Sequence, residues 1–237
     1  MPDCTNEDAD MWSTSDVSIV RFIVQSHEYR NIGLNLVTLG SLGAIMCTCA
    51  QAWGILGQMK VIHREESGDS MPFGLFSYLV FFLATLAVYG MYLKSVTIVF
   101  AGVVLALLHL GLLVSLSFYR DVSMKDLALV ALSILMVPAM IVVPDKNALY
   151  LIFAIGSVFI SGRLPLEIWR NRSAGVMRLS YLMSFLISNV FWTIYAHAIG
   201  DGTMELICLS STVVAGAAIV LWFRYKSGII ADPVVGY

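Results

Sequence analysis

From Asn31 to Met59 the chain carries no Asp, Glu, Lys or Arg. About 20 predominantly apolar residues are enough for a helix to cross the bilayer hydrocarbon. Backbone groups in lipid must find their partners internally, so such a run spans as a helix. Six further runs with few or no charges follow. The composition agrees: 59% of the 237 residues are hydrophobic, only 13% are charged, and the mean hydropathy is +0.83. A soluble domain carries about 25% charged residues. The expected fold class is an all-α integral membrane protein with seven transmembrane helices. A net charge of -2 gives no basis for a nucleic-acid partner.

The spans read as 34–57, 72–92, 96–118, 126–143, 147–163, 179–199 and 204–223. Between them lie the charged loop K-V-I-H-R-E-E-S-G-D, a turn at Lys94, F-Y-R-D-V-S-M-K-D, P-D-K-N, a basic loop ending in Ser173-x-Gly175, and G-D-G. Pro72 fits the first turn of the second helix, where its missing N–H costs little. Pro138 falls inside the fourth span, which membrane helices tolerate when neighbours satisfy the freed carbonyl. The fifth span is short and is expected to end near Pro165. Ahead of the first span, residues 1–16 read as a polar, mobile tail. Residues 17–24 (V-S-I-V-R-F-I-V) are too short to span, and are expected to lie on the membrane surface or dock on the bundle. The opening M-P-D-C-T-N-E-D-A-D is acidic and reads as neither a signal peptide nor an Arg-rich presequence.

Lys and Arg set the orientation. Arg21, Arg30, Lys94 and Lys146 fall on one side, and the other ten of the 14 on the opposite side. The ten-residue side is expected to be cytosolic. The N-terminus then faces outside or a lumen, and the C-terminus faces the cytosol. The particular membrane is not readable.

The chain also resembles itself. G-Q-M-K-V-I-H-R-E-E-S-G (57–68) aligns with P-L-E-I-W-R-N-R-S-A-G (165–175), and L-x-x-L-x-x-Y-G (83–90) with N-x-x-W-x-x-Y-A (189–196). S-F-Y-R (117–120) and W-F-R-Y-K (222–226) close the third helix of each copy, at an offset of about 105 to 108. The simplest parse is 3+1+3. A tail with an interfacial segment (1–30) precedes a first three-helix repeat (31–120), a connector helix (121–146), a second repeat (147–226) and a C-terminal tail (227–237). An odd connector makes the repeats parallel, a layout in which transporters bind substrate near midplane at the repeat interface.

These features resemble the SWEET and PQ-loop (MtN3-like) superfamily of small-solute transporters, over residues 34–226 and more clearly in the second half. Pro165-Leu166 stands where that family has Pro-Gln, followed by Ser173 and Gly175. Asn189, Trp192 and Tyr195 match its sixth helix, and Asp201 the turn before its last. In the first half, Gly57-Gln58 keeps only the Gln. That family holds sugar with an Asn in the third and seventh helices, whereas this chain reads V-F-A-G-V-V (99–104) and I-C-L-S-S-T (207–212). The family's prolines in the first two helices are also missing. The resemblance implies cavity residues Asn189, Trp192, Tyr195 and Tyr89, with Ser210 or Ser211 in place of the lost Asn.

The residues themselves leave alternatives open. Asn189 must face protein or a cavity, because a bare amide is costly in hydrocarbon. Trp192 and Tyr195 share its face and read equally as interfacial anchors. Gln51 in the first span faces the same requirement as Asn189. His109 lies deep in a span and reads as a proton carrier or as a neutral, hydrogen-bonded His. Glu205 suits the start of the last helix through the helix dipole, with proton coupling as the sharper reading. His197 reads as interfacial. Ser210, Ser211 and Thr212 can bond back to their own helix.

Cys47 and Cys49, Cys208 and the tail Cys4 form no disulfide framework and no metal set, and no cofactor is expected. No Ser-His-Asp order, Gly-rich phosphate loop or H-E-x-x-H appears, so an enzyme is not expected. The last span holds no Lys for retinal. Tyr119-Arg120-Asp121 is similar to a receptor motif, which the short even-numbered loops and the repeat do not suit. The leading expectation is a carrier of a small polar solute, sugar-like or amino-acid-like, working by alternating access in the lipid bilayer. The alternative is a non-transporting structural subunit of a larger membrane complex that kept the fold. A sorting receptor on this fold would need basic residues in a lumen-facing cavity, where the chain places few. Homo-oligomer and larger complex both stay open.

Overall fold

The computed structural model describes residues 19–68 and 71–226. Expectations for residues 1–16 and 227–237 lie outside them, whereas the expected interfacial segment 17–24 lies mostly within them, as α1. The described residues form eleven helices and no strand: α1 (Ile19–Gln25), α2 (His27–Arg30), α3 (Leu36–Glu65), α4 (Phe73–Tyr92), α5 (Val96–Ser117), α6 (Met124–Ile134), α7 (Met136–Val142), α8 (Lys146–Ser161), α9 (Arg163–Asn171), α10 (Leu179–Ile199) and α11 (Gly202–Lys226). With α6–α7 and α8–α9 each taken as one rod, seven helices are long and apolar enough to cross a membrane.

Local sequence explains most boundaries. Asn35, Ser95, Ser123, Asp145 and Asp201 each accept a backbone N–H at the start of the following helix. These caps satisfy amides that have no partner inside the helix. Ser123 and Asp126 form a reciprocal capping box. Lys94 makes its turn with a positive φ of 52°. Pro72 precedes the first residue of α4 and so stands one position outside the expected first turn.

Two boundaries differ from the sequence reading. The 30 residues of α3 run through Lys60 to Glu65, so the first half of the expected loop is helical. At about 1.5 Å per residue α3 is about 45 Å long, well beyond a hydrocarbon core of about 30 Å. Its charged last turns stand clear of the lipid, and the helix stops at Glu66 in the left-handed region. The fifth span does not end at Pro165. It pivots at Gly162 and continues as α9, with Pro165 in the first turn, where a missing N–H is tolerated. By contrast, Pro138 breaks its helix as its chemistry demands. It cannot bond the Ile134 carbonyl, and the α6–α7 joint falls at Leu135.

The two three-helix units share one packing order. In the first, α5 lies between α3 and α4; in the second, α11 lies between α10 and α8–α9. The third helix of each unit is therefore its middle one. The units meet along two seams, α3 on α10 and α4 on α8, and the connector α6–α7 rests on α4. This is a 3+1+3 arrangement of parallel repeats.

Small residues let these helices approach. A Cβ on Gly40 would stand 2.8 Å from the Tyr195 Cα, and one on Gly43 would enter the Phe191 ring. In membranes, where lipid is as apolar as leucine, such close packing drives helix association. The outward side chains, among them Leu39, Trp53, Leu107, Leu132, Phe159 and Val220, are exposed and apolar, as a lipid-facing surface requires.

Candidate functional site

The residues that tie one three-helix unit to the other cluster at the two ends and along the seams. One end carries the basic loops after α3, α5 and α9; the other carries α1–α2 and the turns after α4, α7 and α10.

At the end away from the basic loops, Glu28 of α2 is the centre of a dense network. Its Oε1 accepts from the hydroxyls of Tyr195 at 2.6 Å and Ser95 at 2.7 Å, and from the Thr97 amide at 3.0 Å. Its Oε2 accepts from the Val96 amide at 3.2 Å. Burial alone would raise this carboxyl. The bonds from Tyr195, Ser95 and Thr97 outweigh it and hold the group at about 2. The Ser95 and Tyr195 oxygens also stand 2.8 Å apart, so either hydroxyl can turn from the carboxylate to the other. Tyr195 is fully buried, and Trp192 meets it edge-on at 5.9 Å between ring centroids.

The α4–α8 seam is aromatic. Tyr89 stacks on Tyr150 at 4.1 Å, and Phe82 stacks on Tyr150 at 5.6 Å. The Tyr78 hydroxyl donates to the Phe153 carbonyl at 2.6 Å. The Tyr89 hydroxyl donates to Asn147 Oδ1 at 2.9 Å, beside the Asp201 carboxylate. Asp201 Oδ1 caps α11, whereas its buried Oδ2 has no hydrogen-bond partner among the described residues.

Near the middle of the bundle, Asn189 is buried and donates from Nδ2 to the Phe185 carbonyl of its own helix at 2.9 Å. Ser188, beside it, is fully buried, and neither its Oγ nor Gln51 Oε1 of α3 has a partner among the described residues. Such orphaned polar atoms in a buried setting call for a partner. His109 is buried with its ring stacked over Phe76 at 6.3 Å, and its Nδ1 donates to the Leu105 carbonyl at 2.8 Å. Ser210 is half-buried and donates to Leu206 of its own helix, while Ser211 is buried. Glu205 lies in the first turn of α11, 3.4 Å from His197.

At the basic end, Gln58 is fully buried and clips α3 to the second unit. Its Nε2 donates to the Val176 carbonyl at 2.9 Å, and its Oε1 accepts from the Arg178 amide at 3.0 Å. The matching position of the second unit is Leu166, which cannot do this. Arg120 serves there instead. It donates to the carbonyls of Gly68 and Met71 and, at 3.2 Å, to the Glu167 carboxylate of α9. Ser173 Oγ accepts from the Gly175 amide, shaping the loop that receives Gln58. Two clefts open beside these ties. One of about 290 Å³ includes Arg120, Arg163, Glu167 and Arg170, and one of about 730 Å³ includes Lys60, Arg64 and Arg178.

The residues singled out in the sequence do not form one cluster. Tyr195 and Trp192 meet each other, Tyr89 belongs to the other seam, Glu205 meets His197 and Ser210 bonds within its own helix. Sequence reasoning missed Glu28, Ser95, Asn147 and the Arg120–Glu167 pair. It saw Gln58 only as the remnant of a motif. The one local signal for Glu28 is an acid directly ahead of a long apolar run.

The geometry defines a multi-pass membrane protein made of two parallel three-helix units with a connecting helix. Among solved structures, that of a eukaryotic SWEET transporter superposes with a TM-score of 0.53 at 15% identity, covering 79% of this chain and 98% of that one. The fold is therefore SWEET-like. No protein-family model matches the sequence, and no curated protein matches it.

Proposed function

We propose that the protein is a membrane carrier for a small polar solute, opening alternately to either side as its two three-helix units rock against each other. The observation that carries this reading is how the units are joined. Each end is held by a few polar links that can break singly: Glu28 and Ser95 with Tyr195, and Tyr89 with Asn147, at one end, Gln58 and Arg120–Glu167 at the other. Between them, Gln51, Ser188 and Asn189 are buried polar groups with hydrogen-bonding capacity for a solute bearing hydroxyl or amino groups. Asn189, Trp192, Tyr195 and Tyr89 are the cavity residues in this reading. Ser210 and Ser211 of the last helix stand in for the missing Asn, His109 and Glu205 are the proton-coupling candidates, and Pro165 of α9 with the loop residues Ser173 and Gly175 forms the part that bends at the basic end. The excess of Lys and Arg at that end supports a cytosolic position for it.

The test is counterflow in proteoliposomes with labelled neutral sugars and amino acids. The proposal expects saturable exchange of at least one of them. A well-folded preparation that exchanges none above empty liposomes refutes it.

A further inference from the structure

The segment ahead of the first span is attached at several points. The His27 amide donates to the Lys94 carbonyl at 3.0 Å. The Asn31 carbonyl accepts from the Thr38 hydroxyl of α3 at 3.1 Å. Glu28 accepts from Ser95, Val96 and Thr97 at the start of α5. All of these partners belong to the first unit. Tyr195 alone belongs to the second, and it reaches both Glu28 and Ser95.

We propose that α1–α2 is a strap that fastens the two units closed at the end away from the basic loops, with Glu28 as the fastener and Tyr195 as its catch. The strap stays on the first unit throughout, and opening the α3–α10 side of that end means releasing the Tyr195 hydroxyl from Glu28 and Ser95, while Tyr89–Asn147 ties the α4–α8 side. Charge-assisted bonds of this kind are about twice as strong as neutral ones. The strap is therefore a lock on one end of the molecule, and it deepens the carrier reading, on which its role in transport rests. The tight contacts of Gly40 and Gly43 with α10 lie just below this catch, so freeing Tyr195 also frees the outer turns of the α3–α10 seam.

The test is amide hydrogen exchange, read by mass spectrometry on the full chain in lipid nanodiscs, without solute. Tyr195→Phe removes the catch and leaves the fastener in place. Exchange at 40–44 and 191–197 should rise on the order of tenfold to a hundredfold, the scale of one bond to a charged group, while 96–97 stays protected. Glu28→Ala should raise exchange at both seam segments and at 96–97. Glu28→Gln keeps an acceptor in place and should fall between it and the wild type. If Glu28→Ala changes only 94–98, or if Tyr195→Phe leaves the seam unchanged, the strap is a local cap and the proposal fails. Because no solute is present, an absence of transport would count against the carrier reading and leave this result standing.

Discussion

Glu28 and Tyr195 are separated by 167 residues of sequence, and their side chains meet at 2.6 Å. One lies ahead of the first membrane span and the other near the end of the sixth. That bond joins the two halves of a duplicated fold through a residue outside the duplication.

The Glu28 carboxyl is held at about 2, below its ordinary 4.5. A carboxylate with a lowered value adds stability above its unfolded value and loses it as pH falls through the folded one. Thermal stability in detergent should therefore fall from about pH 4.5 down to about pH 2. Glu28→Gln should flatten that part of the profile, and an unchanged profile in this variant would mean that Glu28 is not the group responsible.

Asn189→Ala is expected to abolish solute exchange while leaving the melting temperature nearly unchanged. The amide bonds only to its own helix, at Phe185, so removing it breaks no contact between helices among the described bonds. Unchanged uptake by a well-expressed variant would remove Asn189 from the site.

Gly102 packs on backbone. An added Cβ would stand 2.6 Å from the Ala87 nitrogen and 2.9 Å from the Leu83 carbonyl oxygen. Gly102→Ala should destabilise the α4–α5 pair by about 1–3 kcal/mol, as overpacking does. Gly216 has nothing within 4 Å of its added Cβ, so Gly216→Ala should be neutral or stabilise by up to about 1 kcal/mol. Paired melting curves check the contrast.

Gln58→Leu strands the Val176 carbonyl and the Arg178 amide. A fully buried group left unpaired costs about 1–3 kcal/mol, and these two part-buried ones should cost at or below the lower end of that range. Gln58→Glu keeps an acceptor for Arg178, but its carboxylate cannot donate to the Val176 carbonyl and would be a fully buried charge. Both variants should melt below the wild type.

How much of this was readable in advance follows from the range of each interaction. The seven spans are legible because hydropathy is a local property, and the 3+1+3 plan because the repeat leaves matching loops. Boundaries set by tolerance are harder. Pro165 reads as a stop, yet a first helical turn accepts it. Lys60 and Arg64 read as a loop, yet a helix projecting from lipid keeps them. Partners distant in sequence are not legible at all. Nothing near Glu28 announces Ser95 or Tyr195, and nothing near Arg120 announces Glu167. Asn189 illustrates the converse: its need for a partner is plain from sequence, and that partner proves to be a carbonyl one turn away.

Alternating movement of the two ends is the central claim, and paired spin-label distances test it most directly. One label pair, at Lys94 and His197, reports on the strap end. The other, at Glu66 and Arg172, reports on the basic end. Each pair is placed in protein whose own cysteines are replaced by serine and which sits in nanodiscs. The account predicts two populations, with one pair long where the other is short, and a shift toward an open strap end in Tyr195→Phe. A single fixed distance at both ends, or two distances that lengthen together, would contradict it.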